Sequence, residues 1–358
     1  FMRKRLTAMC DLLLQKLKSG EELSQGEYLY LIKHRTECAE SLYKAAAEVR
    51  NKIYGRRVYI RGLIEFTNYC KNDCFYCGIR RGNSNAERYR LLPEEILTCA
   101  ENGYVLGFRT FVLQGGEDSY YSDALLCDIV GQIKAKYPDC AVTLSVGERS
   151  FESYKKLRLA GADRYLLRHE TADKSHYEML HPPQMSFDNR VKCLYDLKSL
   201  GYQVGAGFMV GSPFQTEDML AKELIFLRKL RPDMVGIGPF VPHKDTPFAD
   251  MPQGTAELTL FMLSLIRLTL PYVLLPATTA LGTIDPLGRE KGINAGANVL
   301  MPNLSPRGVR KKYMLYDNKI CTGDEAAQCI ECLKRRIETT GCKIITSRGD
   351  VQKPQVNG

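Results

Sequence analysis

No apolar run in this sequence approaches the ~20 residues that a membrane-spanning helix needs. The N-terminal FMRKRLTAMC lacks both a long apolar stretch and a small-residue cleavage site, so no secretory leader is expected and the expected location is cytoplasmic. Phe1 ahead of Met2 reads as a cloning remnant. There is no basic tract interleaved with aromatics either. The net charge of +9 arises from Lys and Arg scattered among acids, which argues against nucleic acid and for a basic cavity that attracts anions. No low-complexity segment or linker divides the chain. His169 and His243 have no second histidine at metal spacing, so both read as structural.

What is present fits one large soluble domain. At 358 residues the chain exceeds the usual single-domain length, but an α/β barrel of ~250 residues plus extensions accounts for it. Hydrophobic residues make up 44% and charged residues 25%, as in ordinary globular proteins. Thirteen cysteines are many for a reducing compartment, and their clustering argues for metal rather than disulfides. Six fall into two tight groups. The others, Cys10, Cys38, Cys99, Cys127, Cys140, Cys193 and Cys342, read as isolated, buried small hydrophobes.

Residues 1–50 read as a polar helical extension, a lid or plug, with a capping signal at Ser24 and Glu27. Residues 51–345 then alternate short β-rich runs with amphipathic helices, the pattern of successive βα units. The strands expected are VYIRGLIEF, TFVLQGG, AVTLSVG, RYLLRHE, QVGAGFMVG, MVGIGPFVP, YVLLPAT and NVLMPN. Eight is the number a closed TIM-type (βα)8 barrel requires. Periodicity fixes the alternation but not closure, so a doubly wound open sheet is the alternative. Residues 346–358 are expected to be loosely ordered.

Directly after the first strand, FTNYCKNDCFYCGIRRGN places Cys70, Cys74 and Cys77 as C-x3-C-x2-C at the strand's C-terminal end, where barrel active sites sit. Soft thiolates suit iron-sulfur clusters or zinc, and three ligands complete neither a cubane nor a tetrahedral structural zinc. An open coordination position follows; a zinc knuckle or chance spacing is the bland alternative. A second set, Cys321, Cys329 and Cys332, is spaced C-x7-C-x2-C, and helical periodicity puts Cys329 and Cys332 on one face. It suits a second iron-sulfur cluster, or else unremarkable helix cysteines.

The first loop resembles that of the radical S-adenosylmethionine (SAM) superfamily. That resemblance implies a 4Fe-4S cluster whose unique iron takes the amino and carboxylate groups of SAM, and cleavage to a 5'-deoxyadenosyl radical. Tyr76 then matches the aromatic before the third cysteine, and Gly115, Gly116 and Glu117 match the GGE motif facing the methionyl amine. Arg168, Glu170 and Arg190 resemble the residues holding SAM's carboxylate and ribose, although alone they would read as a solvated salt bridge. Gly236 and Gly238 leave room beside an adenine, or serve barrel packing.

With both cysteine sets, Thr278 and Thr279 in ATT, Met301 in LMPN, and Tyr313 and Tyr316 in KYMLY, the chain resembles the HydE family of FeFe-hydrogenase maturases, relatives of biotin synthase and methylornithine synthase. The resemblance implies a barrel lumen receiving an iron complex of carbon monoxide, cyanide and cysteine from HydG. The product would pass through HydF to the hydrogenase, and an electron donor would serve the cluster. Gln114, Thr143, Met234, Thr278, Thr279, Met301, Tyr313 and Tyr316 fall where they would line that lumen; apolar packing is the plain reading for Met234 and Met301. The alternatives are a methylornithine-synthase-like mutase, an iron-sulfur carrier that needs the cysteines but not SAM, and a nucleic-acid-modifying enzyme.

Overall fold

The computed structural model describes residues 2–323 and 330–352. Three helices come first: α1 (Met2–Ser19), α2 (Gln25–Lys33) and α3 (Arg35–Tyr54). Ser24 caps α2 reciprocally with Glu27, its hydroxyl accepting from Glu27 N–H and its own N–H donating to the Glu27 carboxylate at 2.8 Å. The extension is not a lid. Its helix α2 packs on the outer helix Glu217–Leu230 and α3 on Ala256–Thr269, so it clads the barrel's flank. Cys10 and Cys38, read from the sequence as isolated, are joined as a disulfide between α1 and α3.

The strands are β1 (Arg57–Ile60), β2 (Gly62–Thr67), β3 (Thr110–Gly115), β4 (Ala141–Ser145), β5 (Arg164–Leu166), β6 (Gln203–Ala206), β7 (Met209–Val210), β8 (Met234–Val235), β9 (Gly238–Pro239), β10 (Val299–Leu300) and β11 (Lys343–Ile345). A parallel ladder runs β2-β3-β4-β5-β6-β8. Bridges Met234↔Leu274 and Pro276↔Val299 carry it across to β10, which pairs with β1, the continuation of β2. The barrel therefore closes, and the open-sheet alternative falls. Every residue of β2 is buried, as expected for a parallel strand covered on both faces.

Several expected strands are shorter than their sequence runs. YVLLPAT contributes only those two bridges, because Pro276 has no N–H for a ladder. RYLLRHE stops being a strand at Leu166, and Glu170 turns to φ +66°. The runs QVGAGFMVG and MVGIGPFVP break in two, and their second halves, β7 and β9, pair at the barrel mouth.

Residues 346–352 depart from the expected loose tail. Asp350 lies 2.6 Å from buried Arg164, Arg348 lies 3.1 Å from Asp163, and Thr110 Oγ1 donates to the Arg348 carbonyl at 2.8 Å. Charge pairing at the barrel floor thus holds a segment that has no apolar signal of its own. Residues 353–358 lie outside the described residues. Among the described residues, no helix is long and apolar enough to cross a membrane.

Candidate active site

A cavity of about 290 Å³ opens at the C-terminal ends of the strands. Cys70, Cys74 and Cys77 line one wall, with Tyr76, Gly115, Gly116, Glu117, Arg168, Glu170, Arg190, Gly238, Gln114, Thr278, Tyr313 and Tyr316 around it. No residue of the N-terminal extension reaches it.

The cysteine loop follows β2 and has little regular structure of its own, so its backbone is satisfied partly by main-chain bonds to neighbouring loops, such as Gly78 N–H to Leu315 O at 2.8 Å, and partly by side chains. Arg88 does most of the latter: its guanidinium donates to the carbonyls of Asn68 and Arg80 at 2.6 Å, of Ile79 at 2.9 Å and of Asn83 at 3.1 Å. Asn68 Nδ2 reaches the carbonyls of Glu87 and Lys312 at 2.8 and 2.7 Å. The loop also packs against β3, since a Cβ on Gly116 would lie 2.2 Å from Tyr69 O and 2.8 Å from Cys70 Cβ. Glycine in GGE is therefore required by the approach of the cysteine loop itself.

Burial raises the pKa of all three thiols; repulsion from the neighbouring sulfurs adds to it at Cys74 and Cys77, and the Glu117 charge adds to it at Cys70, with Cys77 pushed up to about 12. Thiolates persist in such a place only when a cationic centre takes up their charge. Among the described residues no three His, Cys, Asp or Glu side chains converge as ligands of a single ion would. A cubane asks for less, because each cysteine binds a different iron. The donor set fits a 4Fe-4S cluster with one iron left for another ligand.

Behind the loop, Tyr76 O–H meets His181 Nε2 at 3.1 Å, while His181 Nδ1 lies 2.9 Å from the Tyr177 carbonyl. A carbonyl only accepts, so Nδ1 carries the proton and Nε2 accepts from Tyr76. Burial holds the His181 pKa down to about 3, which keeps the ring neutral.

The next wall carries the charged groups. Arg190 donates to Glu148 Oε1 at 2.5 Å and to the Arg168 carbonyl at 2.7 Å, and lies 4.0 Å from Glu117. Glu117 in turn accepts from Glu148 N–H at 2.9 Å. It packs over Gly147, where φ is +75° and a Cβ would lie 2.0 Å from Glu117 Cγ. Arg168 Nη2 is 3.1 Å from Glu170 Oε2, but the angle makes no hydrogen bond. Arg168 Nε and Nη2 and Glu170 Oε2 are consequently buried with no hydrogen bond beyond their mutual ion pair, an arrangement that the polar groups of a ligand would complete. A carboxylate and a hydroxyl-bearing ribose, as SAM offers, match that pair of orphans.

The opposite wall is uncharged. Gln114 Nε2 points to Tyr313 O–H at 3.5 Å, and Thr278 caps a short helix through Leu281 N–H. Burial, with Glu65 adding to it, holds Tyr313 well above the usual tyrosine range, and burial raises Tyr316 too. Both remain phenols and hydrogen-bond donors.

Several residues expected around the lumen stand elsewhere. Thr143 and Met234 line a small void nearer the floor, about 10 Å³, beside fully buried Arg61. There Arg61 Nη1 lies 2.7 Å from Met234 Sδ, while Arg61 Nε and Nη2 and Thr143 Oγ1 have no partner. Met301 packs in the apolar cluster of Tyr54, Tyr59, Leu166 and Met234. Thr279 is the first helical residue after its cap and, like Gly236, does not line the mouth cavity. Cys321 is buried with Arg289 Nη2 at 2.8 Å from its sulfur, and Cys332 is exposed on helix Ile330–Glu338, 3.5 Å from Arg335 Nη2. Cys329 lies outside the described residues. Sequence reasoning missed Arg88, Gly147, Glu148 and Arg61, whose residue types carry no motif; only the fold shows what they hold.

Comparison with known proteins agrees with this geometry. Residues 64–227 match the model of the Radical SAM superfamily. The chain is 51% identical over 304 residues, 85% of its length and 86% of the relative's, to the FeFe hydrogenase maturase subunit HydE of Thermotoga maritima. It is 30% identical to the 3-methylornithine synthase of Methanosarcina acetivorans over 95% of both chains. Among solved structures, methylornithine synthase (PylB) superimposes with a TM-score of 0.81 at 29% identity, covering 93% of this chain and 97% of that one. The FeFe-hydrogenase maturase HydG of Carboxydothermus hydrogenoformans shares the fold, with a TM-score of 0.79 at 21% identity over 96% and 80% of the two chains.

Proposed function

The chain belongs to the HydE family of FeFe-hydrogenase maturases within the radical SAM superfamily, and from that membership we propose that its mouth cavity activates a cysteine-bound iron complex carrying carbon monoxide and cyanide. It is a radical SAM enzyme of hydrogenase maturation. When bound, the 4Fe-4S cluster and SAM supply one-electron cleavage to a 5'-deoxyadenosyl radical. The protein's part is to orient and to exclude water, because such a radical takes whatever target is held within ~3 to 3.5 Å.

In this reading Cys70, Cys74 and Cys77 hold the cluster. Arg168, Glu170 and Arg190 take SAM's carboxylate and ribose, while Gly115, Gly116 and Glu117 face its amine and Tyr76 and Gly238 its adenine. Gln114, Thr278, Tyr313 and Tyr316 then form the seat of the iron complex. One observation carries the choice of substrate: that wall offers hydroxyls and an amide but no acid–base pair, and Glu65, the carboxylate whose charge bears on Tyr313, is already taken by Lys319 at 2.5 Å. Neutral donors suit cyanide and carbonyl ligands. HydG as the source of the complex, HydF as its recipient and an external electron donor complete the proposal.

Turnover with the synthetic iron-cysteine complex is expected to yield, after quenching, S-adenosylcysteine, with adenosine's 5' carbon bonded to the cysteine sulfur. The likeness to methylornithine synthase across almost the whole chain favours a second reading, hydrogen abstraction from an amino acid. That chemistry would give 5'-deoxyadenosine carrying deuterium from a labelled substrate. Label without a sulfur adduct would reject the iron complex as substrate.

The second thiol set stands apart from this chemistry, since none of its described members lines the cavity. Replacing Cys321, Cys329 and Cys332 together is expected to lower bound iron while leaving SAM cleavage near its wild-type rate. Loss of cleavage in a properly folded triple variant would make the set catalytic.

A further inference from the structure

His169 stands between Arg168 and Glu170, yet its ring turns away from the cavity. It and Glu223, on helix Glu217–Leu230, are both fully buried, with Nε2 and Oε2 2.7 Å apart. Gly207 N–H donates to His169 Nδ1 at 3.3 Å. A backbone N–H can only donate, so Nδ1 is bare, the proton lies on Nε2, and Nε2–H donates to the carboxylate. The other oxygen of Glu223 accepts from Ala172 N–H at 2.6 Å. One carboxylate thus grips the segment twice, through a side chain at His169 and through the backbone at Ala172.

Between those grips lies the strained residue. Glu170 has φ +66°, a left-handed conformation that a side chain with a Cβ keeps only where its surroundings over-determine it. Its N–H donates to Gly207 O at 3.0 Å, so Gly207 accepts from Glu170 and donates to His169. Returned to extended backbone, the segment would resume period-two alternation, and Arg168 and Glu170 would no longer be presented to the ligand as they are here.

We propose that His169 and Glu223 are positioning residues that lock this left-handed turn and thereby aim Arg168 and Glu170 at SAM. The proposal rests on the reading of those two residues as SAM contacts. It explains why a carboxylate that does not line the cavity is buried in an outer helix: only an acceptor with two oxygens serves both donors.

Glu223→Gln tests it with almost no change of shape. The amide NH2 must confront one of two donors, His169 Nε2–H or Ala172 N–H, so one grip is lost. Because a half-satisfied buried network can itself impair folding, the double variant His169→Phe, Glu223→Leu is the companion: it fills the volume and removes the buried carboxylate, leaving only the Ala172 and Gly207 N–H groups without their acceptors. Both are expected to weaken SAM binding at least about tenfold in equilibrium dialysis against the reconstituted protein. The SAM-induced change in the cluster's EPR spectrum should fade in parallel, with iron content kept. His169→Gln, which keeps an amide donor toward Glu223, should recover most of the affinity. If both variants bind SAM as wild type does, whatever their thermal midpoints, the pair is structural only and the proposal is overturned. Arg168→Ala and Glu170→Gln separate the two levels: wild-type SAM affinity in these as well would bring down the underlying SAM assignment.

Discussion

Replacing any one of Cys70, Cys74 and Cys77 by alanine is expected to reduce SAM cleavage to background. Two thiolates cannot hold a cubane with one differentiated iron, and among the described residues no other thiol lines the cavity. Met185 Sδ is 3.6 Å from Cys74 Sγ, but a thioether is a poor substitute for a thiolate. The flanking loop would remain, since Arg88 and Asn68 hold its carbonyls without help from the sulfurs. The measurement is 5'-deoxyadenosine formed from SAM by dithionite-reduced protein, with iron and sulfide counts alongside. Cleavage near the wild-type rate in any single variant would overturn the cluster assignment.

The largest expected effect on stability is at Lys319. Its Nζ is 2.5 Å from Glu65 Oε1 and 2.8 Å from the Tyr313 carbonyl, and Asn303 Nδ2 donates to Glu65 Oε2 at 2.8 Å. The side chains of Lys319 and Glu65 are 7% and 2% exposed, so screening by water is slight. Lys319→Met leaves that carboxylate buried and unpaired, at a cost of about 3–5 kcal/mol. The double variant Lys319→Met, Glu65→Gln removes the stranded charge and should recover most of the loss. Thermal unfolding of the two proteins distinguishes these outcomes; equal midpoints would show that Lys319 contributes nothing through Glu65. Because Lys319 also holds the backbone of Tyr313, a cavity residue, the single variant should weaken substrate binding more than SAM binding.

The parts of the site that were legible in sequence are those whose chemistry depends on local spacing. C-x3-C-x2-C after a strand, GGE after the next and the βα alternation are short-range patterns, and the barrel places both loops at one mouth. Legibility failed where a side chain's role is set by a distant partner. Arg164 looks like a strand residue, yet it anchors Asp350, whose segment reads as a loose tail. Thr143 and Met234 lie on the expected strands, but nearer the floor beside Arg61, because depth along a barrel stave is not visible in a period of two.

The sequence by itself determined the family, the number of βα units and the three thiols that meet in the cavity, since each depends on residue type and spacing along one stretch of chain. Tertiary structure alone decided that the extension clads the flank, that the floor holds residues 346–352, and that Arg168 and Glu170 are presented together by a left-handed turn at Glu170. These outcomes depend on atoms far apart in the chain, such as Glu223 against His169 and Ala172, whose energies arise only once the barrel has closed. No local pattern can encode a hydrogen bond whose partner is brought by the fold.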